Sequence, residues 1–261
     1  MRLNETFEKT VTSAEVERWR YPRFFTGEIT EKTALLHGEQ AKHCAKALRM
    51  RIGDLAVLCD GNGTDYFCRV SAADAEEVSF EVLESRPNKA EASVSLRLFQ
   101  CCPKSDKMEF IVQKAVELGA CEVIPVLSKR CVSRPSEADA EKKRERYQKI
   151  AFEASKQCGR GRVLKVCPML SFREAAESFS GEHLGILLYE CGGEALGTVL
   201  GEGAAGTIDL FVGSEGGFEA EEALFAKERG IRLATLGQRI LRCETAPIAA
   251  ISILMNLTGN M

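Results

Sequence analysis

The stretch Ile208-Asp209-Leu210-Phe211-Val212-Gly213-Ser214-Glu215-Gly216-Gly217-Phe218-Glu219-Ala220-Glu221-Glu222 decides how most of the chain is read. Ile208–Val212 is apolar and short, so it predicts a buried strand. Three glycines fall within the next five residues. A helix is then predicted over Glu219–Arg229, with Gly230 as its stop. The same unit recurs on both sides. Strands are predicted at Val94–Phe99, Glu122–Leu127, Val163–Val166, Leu184–Tyr189 and Ile231–Leu236. Helices are predicted at Met108–Leu118 (stopped by Gly119), Ala138–Cys158 (stopped by Gly159), Phe172–Phe179 and Glu244–Leu257. Strands alternating with helices predict an α/β domain with a parallel sheet covered on both faces. Such sheets take their ligands beyond the C-terminal ends of the strands.

Upstream the pattern differs. Residues 21–90 read mainly as short strands, with Asp60-Gly61-Asn62-Gly63 a strong turn signal joining Leu55–Cys59 to Asp65–Val70, and Val78–Leu83 following. One helix, Gly38–Met50, interrupts them, with Ala41, Cys44, Ala45 and Leu48 on one face. This predicts a small β-barrel or sandwich. Arg86-Pro87-Asn88-Lys89 reads as a linker, and residues 1–20 as a poorly ordered leader or an extra helical turn. Three parts are expected: an extension at 1–20, a small β domain at 21–90 and an α/β domain at 91–261.

The chain has 261 residues, 45% hydrophobic and 28% charged, in the range of ordinary globular proteins. No apolar run reaches the roughly 18 residues that span a bilayer, and the N-terminal stretch has no apolar core, so neither a membrane segment nor a signal peptide is expected. Eleven cysteines are present, without any C-x-x-C pair. Neither they nor His37, His43 and His183 form a metal motif, so no metal is expected. In a cytoplasmic protein the cysteines read as reduced, small core residues. Net charge is −3. Its distribution is uneven, with twelve Lys/Arg against five Asp/Glu from Lys129 to Lys165, and six against thirteen from Val166 onward. A basic block inside an acidic protein suits a polyanion, and equally a solvated helix face with i,i+4 pairs.

Two loops carry the chemistry. In Gly213-Ser214-Glu215-Gly216-Gly217 the glycines permit close backbone approach by a ligand. The spacing is not G-x-G-x-x-G, and a carboxylate at Glu215 repels phosphate, so hydroxyls or a cationic ligand fit better. The bland alternative is a glycine turn with Glu215 capping the next helix. The second loop is Leu236-Gly237-Gln238-Arg239-Ile240-Leu241-Arg242-Cys243-Glu244-Thr245-Ala246. Glu244 and Thr245 stand where a helix cap stands. A cap does not explain Arg239 and Arg242, which flank an apolar pair able to line a pocket for a flat ring. Lys104-Ser105-Asp106-Lys107 and Lys156-Gln157-Cys158-Gly159-Arg160-Gly161-Arg162 are further polar sets that either hold RNA phosphates or are simply solvated.

The segments FVGSEGGFEAEE and LGQRILRCETAPIAAISIL, in this order, closely resemble the RsmE family of 16S ribosomal RNA (uracil-N3) methyltransferases, in the SPOUT superfamily. EFIVQKAVELGACEVIPVLSKR, YQKIAFEASKQCGRGRV and ILLYE agree, as do YPRFF, HCAKALRMRIGD and DGNGTDYFCRV at the front. The resemblance covers about residues 21–261. It implies a PUA-like RNA-binding β-barrel followed by a SPOUT methyltransferase domain whose C-terminus forms a trefoil knot, a homodimer, and S-adenosylmethionine as methyl donor. The implied cofactor residues are Leu188, Tyr189, Gly213, Ser214, Glu215, Gly216, Gly217, Leu236, Gly237, Gln238, Ile240 and Leu241. The implied RNA-binding set is Arg23, Arg49, Arg51, Lys104, Lys107, Lys156, Gln157, Arg160 and Arg162. The family often has proline at the position of Ser214 and threonine at that of Cys243.

Uracil N3 is hidden in a base pair, so the enzyme must take a splayed-out uridine. N3 becomes nucleophilic as it loses its proton, which calls for a base or for cations that stabilise the imide anion. Arg242 is expected as that cation, Glu244 as the base and Arg239 as an alternative orienter. Rival readings are a methyltransferase of the same superfamily with another RNA target, a non-catalytic ribosomal RNA-binding assembly protein, and a nucleotide-dependent oxidoreductase. The missing G-x-G-x-x-G disfavours the last.

Overall fold

Alternation along the chain becomes two differently built sheets in a computed structural model, which describes residues 21–74, 76–201 and 206–261. The expected extension at 1–20 lies outside the described residues. The described residues divide into two compact units, one within residues 21–91 together with 159–162, the other within residues 92–158 together with 163–261.

The first unit holds a five-stranded sheet of β1 (Arg23–Phe25), β2 (Thr33–His37), β3 (Leu55–Cys59), β4 (Thr64–Ala73) and β5 (Glu77–Pro87), in the order β1-β3-β4-β5-β2. The turn at 60–63 forms as its residues dictate. Asp60 Oδ1 accepts the backbone N–H of Asn62 at 2.8 Å and of Thr64 at 3.1 Å, while Gly61 and Gly63 take positive φ of 76° and 100°. Apolar side chains alternate inward, so Phe24, Leu36, Leu58, Phe80 and Val70 form a closed core. β4 and β5 run further than predicted. Arg86 and Pro87 pair with Asp65 and Thr64, so the expected linker at 86–89 begins inside a strand.

The predicted helix Gly38–Met50 is shorter and irregular. α1 (Gly38–Lys42) passes into a π-turn over His43–Ala47, and the chain leaves it through Arg49 at φ 54°. The wider turn shifts the side-chain period, so Ala41 and Cys44 are buried while Leu48 is exposed.

Arg23 and Asp65 form a buried bidentate pair at 2.7 and 3.0 Å, and Asn88 Nδ2 donates to the same carboxylate at 2.8 Å. Burial opposes both charges; their mutual hydrogen bonds prevail, raising Arg23 and lowering Asp65 from their ordinary values. Arg160 is nearly buried against Glu91 at 2.8 Å, and Glu91 also accepts the N–H groups of Gly161 and Arg162.

The second unit is an all-parallel sheet. Its strands are β6 (Ser95–Cys101), β7 (Glu122–Leu127), β8 (Lys165–Val166), β9 (Leu170–Ser171), β10 (Leu184–Leu188), β11 (Glu194–Ala195), β12 (Thr207–Val212) and β13 (Arg232–Thr235). They lie in the order β11-β13-β10-β12-β6-β7-β8, with β9 also on β7. β9, β11 and a short α5 (Leu196–Leu200) are elements the sequence reading did not contain. The other helices are α2 (Lys107–Glu117), α3 (Glu137–Gln157), α4 (Phe172–Glu177), α6 (Ala220–Glu228) and α7 (Thr245–Leu257). α2 buries Met108, Ile111, Val112, Ala115 and Val116, the face its periodicity predicts, and stops at Gly119 with φ 91°. α3 starts at Ser136, whose side chain accepts the Asp139 N–H. One apolar cluster lies on each side of the sheet's residues, the larger containing Leu96, Leu210, Ile251 and Leu254, the other Phe99, Phe211 and Phe218. Arg97 and Asp209, opposite one another on β6 and β12, are joined at 2.6 and 2.5 Å.

All eleven cysteines are free thiols, seven of them buried. Among the described residues no helix is long and apolar enough to cross a membrane.

Candidate active site

β13, β10 and β12 are consecutive neighbours in the sheet and all parallel, so their C-terminal ends open on one edge. The segments that follow them must meet there. They line a single cavity of about 280 Å³. Leu188 ends β10 and Tyr189 follows it, Gly213–Gly217 follows β12, and Leu236, Gly237, Gln238, Ile240 and Leu241 follow β13. All twelve residues expected at the cofactor pocket therefore share one wall system. Arg239 also lines it. Glu190, Val212, Ala234, Thr235, Cys243 and Ala246 are further wall residues outside the expected cofactor set, and each lies within or next to a segment already singled out.

The glycine loop is tightly determined. A Cβ on Gly213 would lie 2.9 Å from Gly217 Cα, and one on Gly216 would lie 2.9 Å from Arg130 Cβ. Gly217 has φ 67°, and a Cβ there would collide with the Glu190 carboxylate. Gln100 Nε2 donates to Gly213 O at 3.2 Å and Arg130 Nη1 to Gly216 O at 2.8 Å. Arg130 is itself held by Glu219. Glu215 does not cap the next helix: α6 is capped by Glu219, in a capping box with Glu222. The Glu215 carboxylate instead accepts the Lys104 N–H at 3.2 and 3.3 Å and pairs with Lys107 Nζ at 3.1 Å.

Glu244 stands at the N-cap of α7 without a side-chain capping bond. Its carboxylate faces Lys107 Nζ at 3.0 Å and accepts from the Cys243 thiol at 3.2 Å. Lys107 is thus drawn upward from its ordinary value by Glu244 and then Glu215. Burial raises both carboxyls, but other contacts outweigh it. For Glu244 these are the Cys243 thiol and Lys107; for Glu215 they are its own backbone N–H, Lys107 and the Lys104 N–H. Both stay below the usual carboxylate range. Burial and Glu244 push the Cys243 thiol up to about 12.

Arg239 and Arg242 are exposed, and among the described residues neither guanidinium has an ion-pair partner. Ile240 is 87% exposed.

The expected RNA-binding residues separate into two groups. Arg23, Arg160 and Lys107 spend their charge inside the chain, on Asp65, Glu91 and the Glu215–Glu244 pair; Lys156 is mostly covered and pairs with Glu153. Arg49, Arg51, Lys104, Gln157 and Arg162 are exposed. The partners of Arg23, Arg160 and Lys107 lie far away along the chain, so nothing local marks these three as paired.

Residues 90–255 match the RNA methyltransferase domain family, and residues 36–83 match the RNA methyltransferase PUA domain family. The ribosomal RNA small subunit methyltransferase E of Bacillus subtilis is 33% identical over 227 residues, covering 84% of this chain and 88% of that protein. The chain belongs to the ribosomal RNA small subunit methyltransferase E family. Its Synechocystis member is 31% identical over 228 residues, 86% of this chain and 73% of that one. Among solved structures, the Neisseria gonorrhoeae methyltransferase E bound to S-adenosyl methionine superposes with a TM-score of 0.83 at 33% identity, over 91% of this chain and 98% of that one. A putative methyltransferase from Legionella pneumophila, in complex with its bound cofactor SAM, gives 0.82 at 25% identity over the same shares. The fold class is therefore that of this family, a PUA domain followed by a SPOUT-type α/β domain.

Proposed function

We propose that this protein transfers a methyl group from S-adenosylmethionine to the ribosomal RNA of the small subunit, at N3 of a specific uridine. The observation that carries the reading is the meeting of three β-strand ends around one cavity, in a chain of the methyltransferase E family. The residues present fit the cofactor. Glycines at 213, 216 and 217 form a cradle that any Cβ would fill. Leu188, Ile240 and Leu241 offer apolar surface for a flat ring. Carboxylates at Glu190 and Glu215 suit hydroxyl, ammonium or sulfonium groups better than phosphate. Bound there, S-adenosylmethionine supplies an electrophilic methyl group on a positively charged sulfur.

The protein's own part is to hold the uracil and manage its proton. Arg242, with no ion pair among the described residues, is assigned to the uracil carbonyl side, where a guanidinium stabilises the imide anion left when N3 loses its proton. Arg239, on the cavity wall, is the alternative orienter. Glu244 is ionised, so it can accept a proton, although Lys107 and Cys243 make it a weaker base than an unpaired carboxylate. RNA contacts are assigned to the exposed Arg49, Arg51, Lys104, Gln157 and Arg162. Binding that rests on such contacts weakens steeply as salt rises. A homodimer is also part of the reading, supported by the exposed apolar Ile253 and Leu257 on α7, and is tested by light scattering. A ribosomal substrate implies a cytoplasmic site of action.

The test is methyl transfer onto small subunits from a strain lacking the activity, read by nucleoside mass spectrometry. A 3-methyluridine peak that needs S-adenosylmethionine is expected. Arg242→Ala is expected to lose that peak while still binding the cofactor. Another methylated nucleoside overturns the N3 assignment, and unchanged turnover in Arg242→Ala overturns its role.

A further inference from the structure

The two loops that face each other across the cavity are joined through a third segment. Among the described residues, no backbone hydrogen bond links Gly213–Phe218 to Leu236–Ala246. What both loops touch is Lys107, the first residue of α2. Its Nζ lies 3.1 Å from Glu215 Oε1 and 3.0 Å from Glu244 Oε2, and 3.6 Å from Cys243 Sγ. The three charged side chains are each about 70% covered, with exposures of 31%, 28% and 27%. They sit where an ion pair is less screened than on an open surface. α2 is a rigid base for this contact, since five of its residues are locked in the core. Glu215 has a second hold on the same region through the Lys104 N–H.

We propose that Lys107 is a positioning residue for the cofactor. Its ammonium ties the glycine loop to the last loop and so sets the separation of the two cavity walls. Without it, two carboxylates face one another with no cation between them, and their repulsion drives the loops apart. The tie acts through Glu215 and Glu244 together, so cutting either arm releases it. This takes Lys107 out of the phosphate-binding set and gives it a role at the cofactor instead. The inference rests on the cofactor reading given above.

The experiment measures the affinity for S-adenosylhomocysteine by calorimetry, which avoids turnover, alongside thermal melting. The proteins are wild type, Lys107→Met, Lys107→Arg, Glu215→Gln, Glu244→Gln, the double Gln variant, and each Gln variant in the Lys107→Met background. Lys107→Met is expected to weaken binding about tenfold, the size of a coupled ion-pair contribution. Lys107→Arg is expected to restore most of it. In the wild-type background the double Gln variant is expected to bind no worse than the poorer single one. In the Lys107→Met background Glu244→Gln is expected to recover part of the affinity, because it removes one of the two like charges that otherwise face each other. Lys107→Met binding as wild type, or a Glu244→Gln loss of equal size with and without the lysine, overturns the proposal. A lowered melting temperature with unchanged affinity also overturns it, because that is the signature of a merely structural lysine. If wild type itself binds no S-adenosylhomocysteine, the cofactor reading fails; if it binds and the coupling is absent, only the tie fails.

Discussion

The two loops of the cavity are built in opposite ways. The glycine loop is fixed from every side: Gln100 and Arg130 hold its carbonyls, three glycines touch neighbouring atoms closely, and Phe218 is sunk in an apolar cluster. The loop after β13 is fixed only where it ends, at buried Cys243 and at Glu244. Before that point Arg239, Ile240 and Arg242 project into solvent, and the Thr235 side chain hydrogen-bonds locally to Gly237. One wall is pre-organised, which lowers the ordering cost of binding. The other carries apolar and cationic groups whose partners must come from a ligand. The division suits a site that keeps one small molecule in a fixed pose while a large, flexible chain approaches from outside.

The sharpest way to break this contrast is to change the rigid wall by one atom. Gly213→Ala places a Cβ 2.9 Å from Gly217 Cα and 3.1 Å from its carbonyl carbon, and backbone cannot step aside as a side chain can. Overpacking of this kind costs about 1–3 kcal/mol. If the loop shifts to relieve it, affinity for S-adenosylmethionine falls by roughly tenfold to a hundredfold. Calorimetric titration reads the loss. Wild-type affinity in Gly213→Ala would mean that the loop is as adaptable as its partner.

The same contrast explains what was legible in the sequence. Strand ends, glycine stops and the glycine loop are local features, and the chain states them locally. Gly119, Gly159 and Gly230 each end their helix with φ of 91°, 79° and 86°, as their position after an apolar period predicts. The contact set behind the pocket is different. Lys107 and Cys243 are 136 positions apart, Lys104 and Glu215 are 111 apart, and Arg160 and Glu91 are 69 apart. In the sequence each of these charges looks solvated, because nothing nearby in the chain announces its partner. Read locally, therefore, Lys107, Arg23 and Arg160 resemble phosphate-binding cations and Glu215 resembles a helix cap. The π-turn after α1 was hidden for another reason: one extra residue in a turn leaves the composition of the apolar face intact and changes only which residue reaches the core.

A smaller effect tests the open wall. Ile240 is 87% exposed, so removing its side chain costs the free protein little. If the cofactor's flat ring covers it on binding, the burial lost in Ile240→Ala weakens affinity about threefold to tenfold. The melting temperature of the unliganded protein is expected to stay the same, while the ligand-induced rise in melting temperature shrinks. An equal fall in both would show that Ile240 supports the fold and not the ligand.

The smallest effect concerns the lysine that both loops contact. Glu215 and Glu244 both have carboxyls held below their ordinary value of 4.5. A carboxyl lowered by folding adds stability that is fully present above its unfolded pKa and is lost as pH falls through its folded pKa. The loss from these two groups therefore begins near pH 4.5 and continues below it. Other carboxyls lowered in this fold, such as Asp65, Glu174 and Glu219, contribute to the same acid limb. They are untouched in Lys107→Met, so they cancel when the two proteins are compared. Without the ammonium, Glu215 keeps the N–H bonds and Glu244 keeps the Cys243 thiol, but each loses its cation, and both pKa values move up toward the unfolded value. Urea unfolding between pH 5 and pH 3 is then expected to show a shallower loss of stability in Lys107→Met than in wild type. Parallel acid limbs would mean that Lys107 holds neither carboxylate in solution, and that the two loops stand without it.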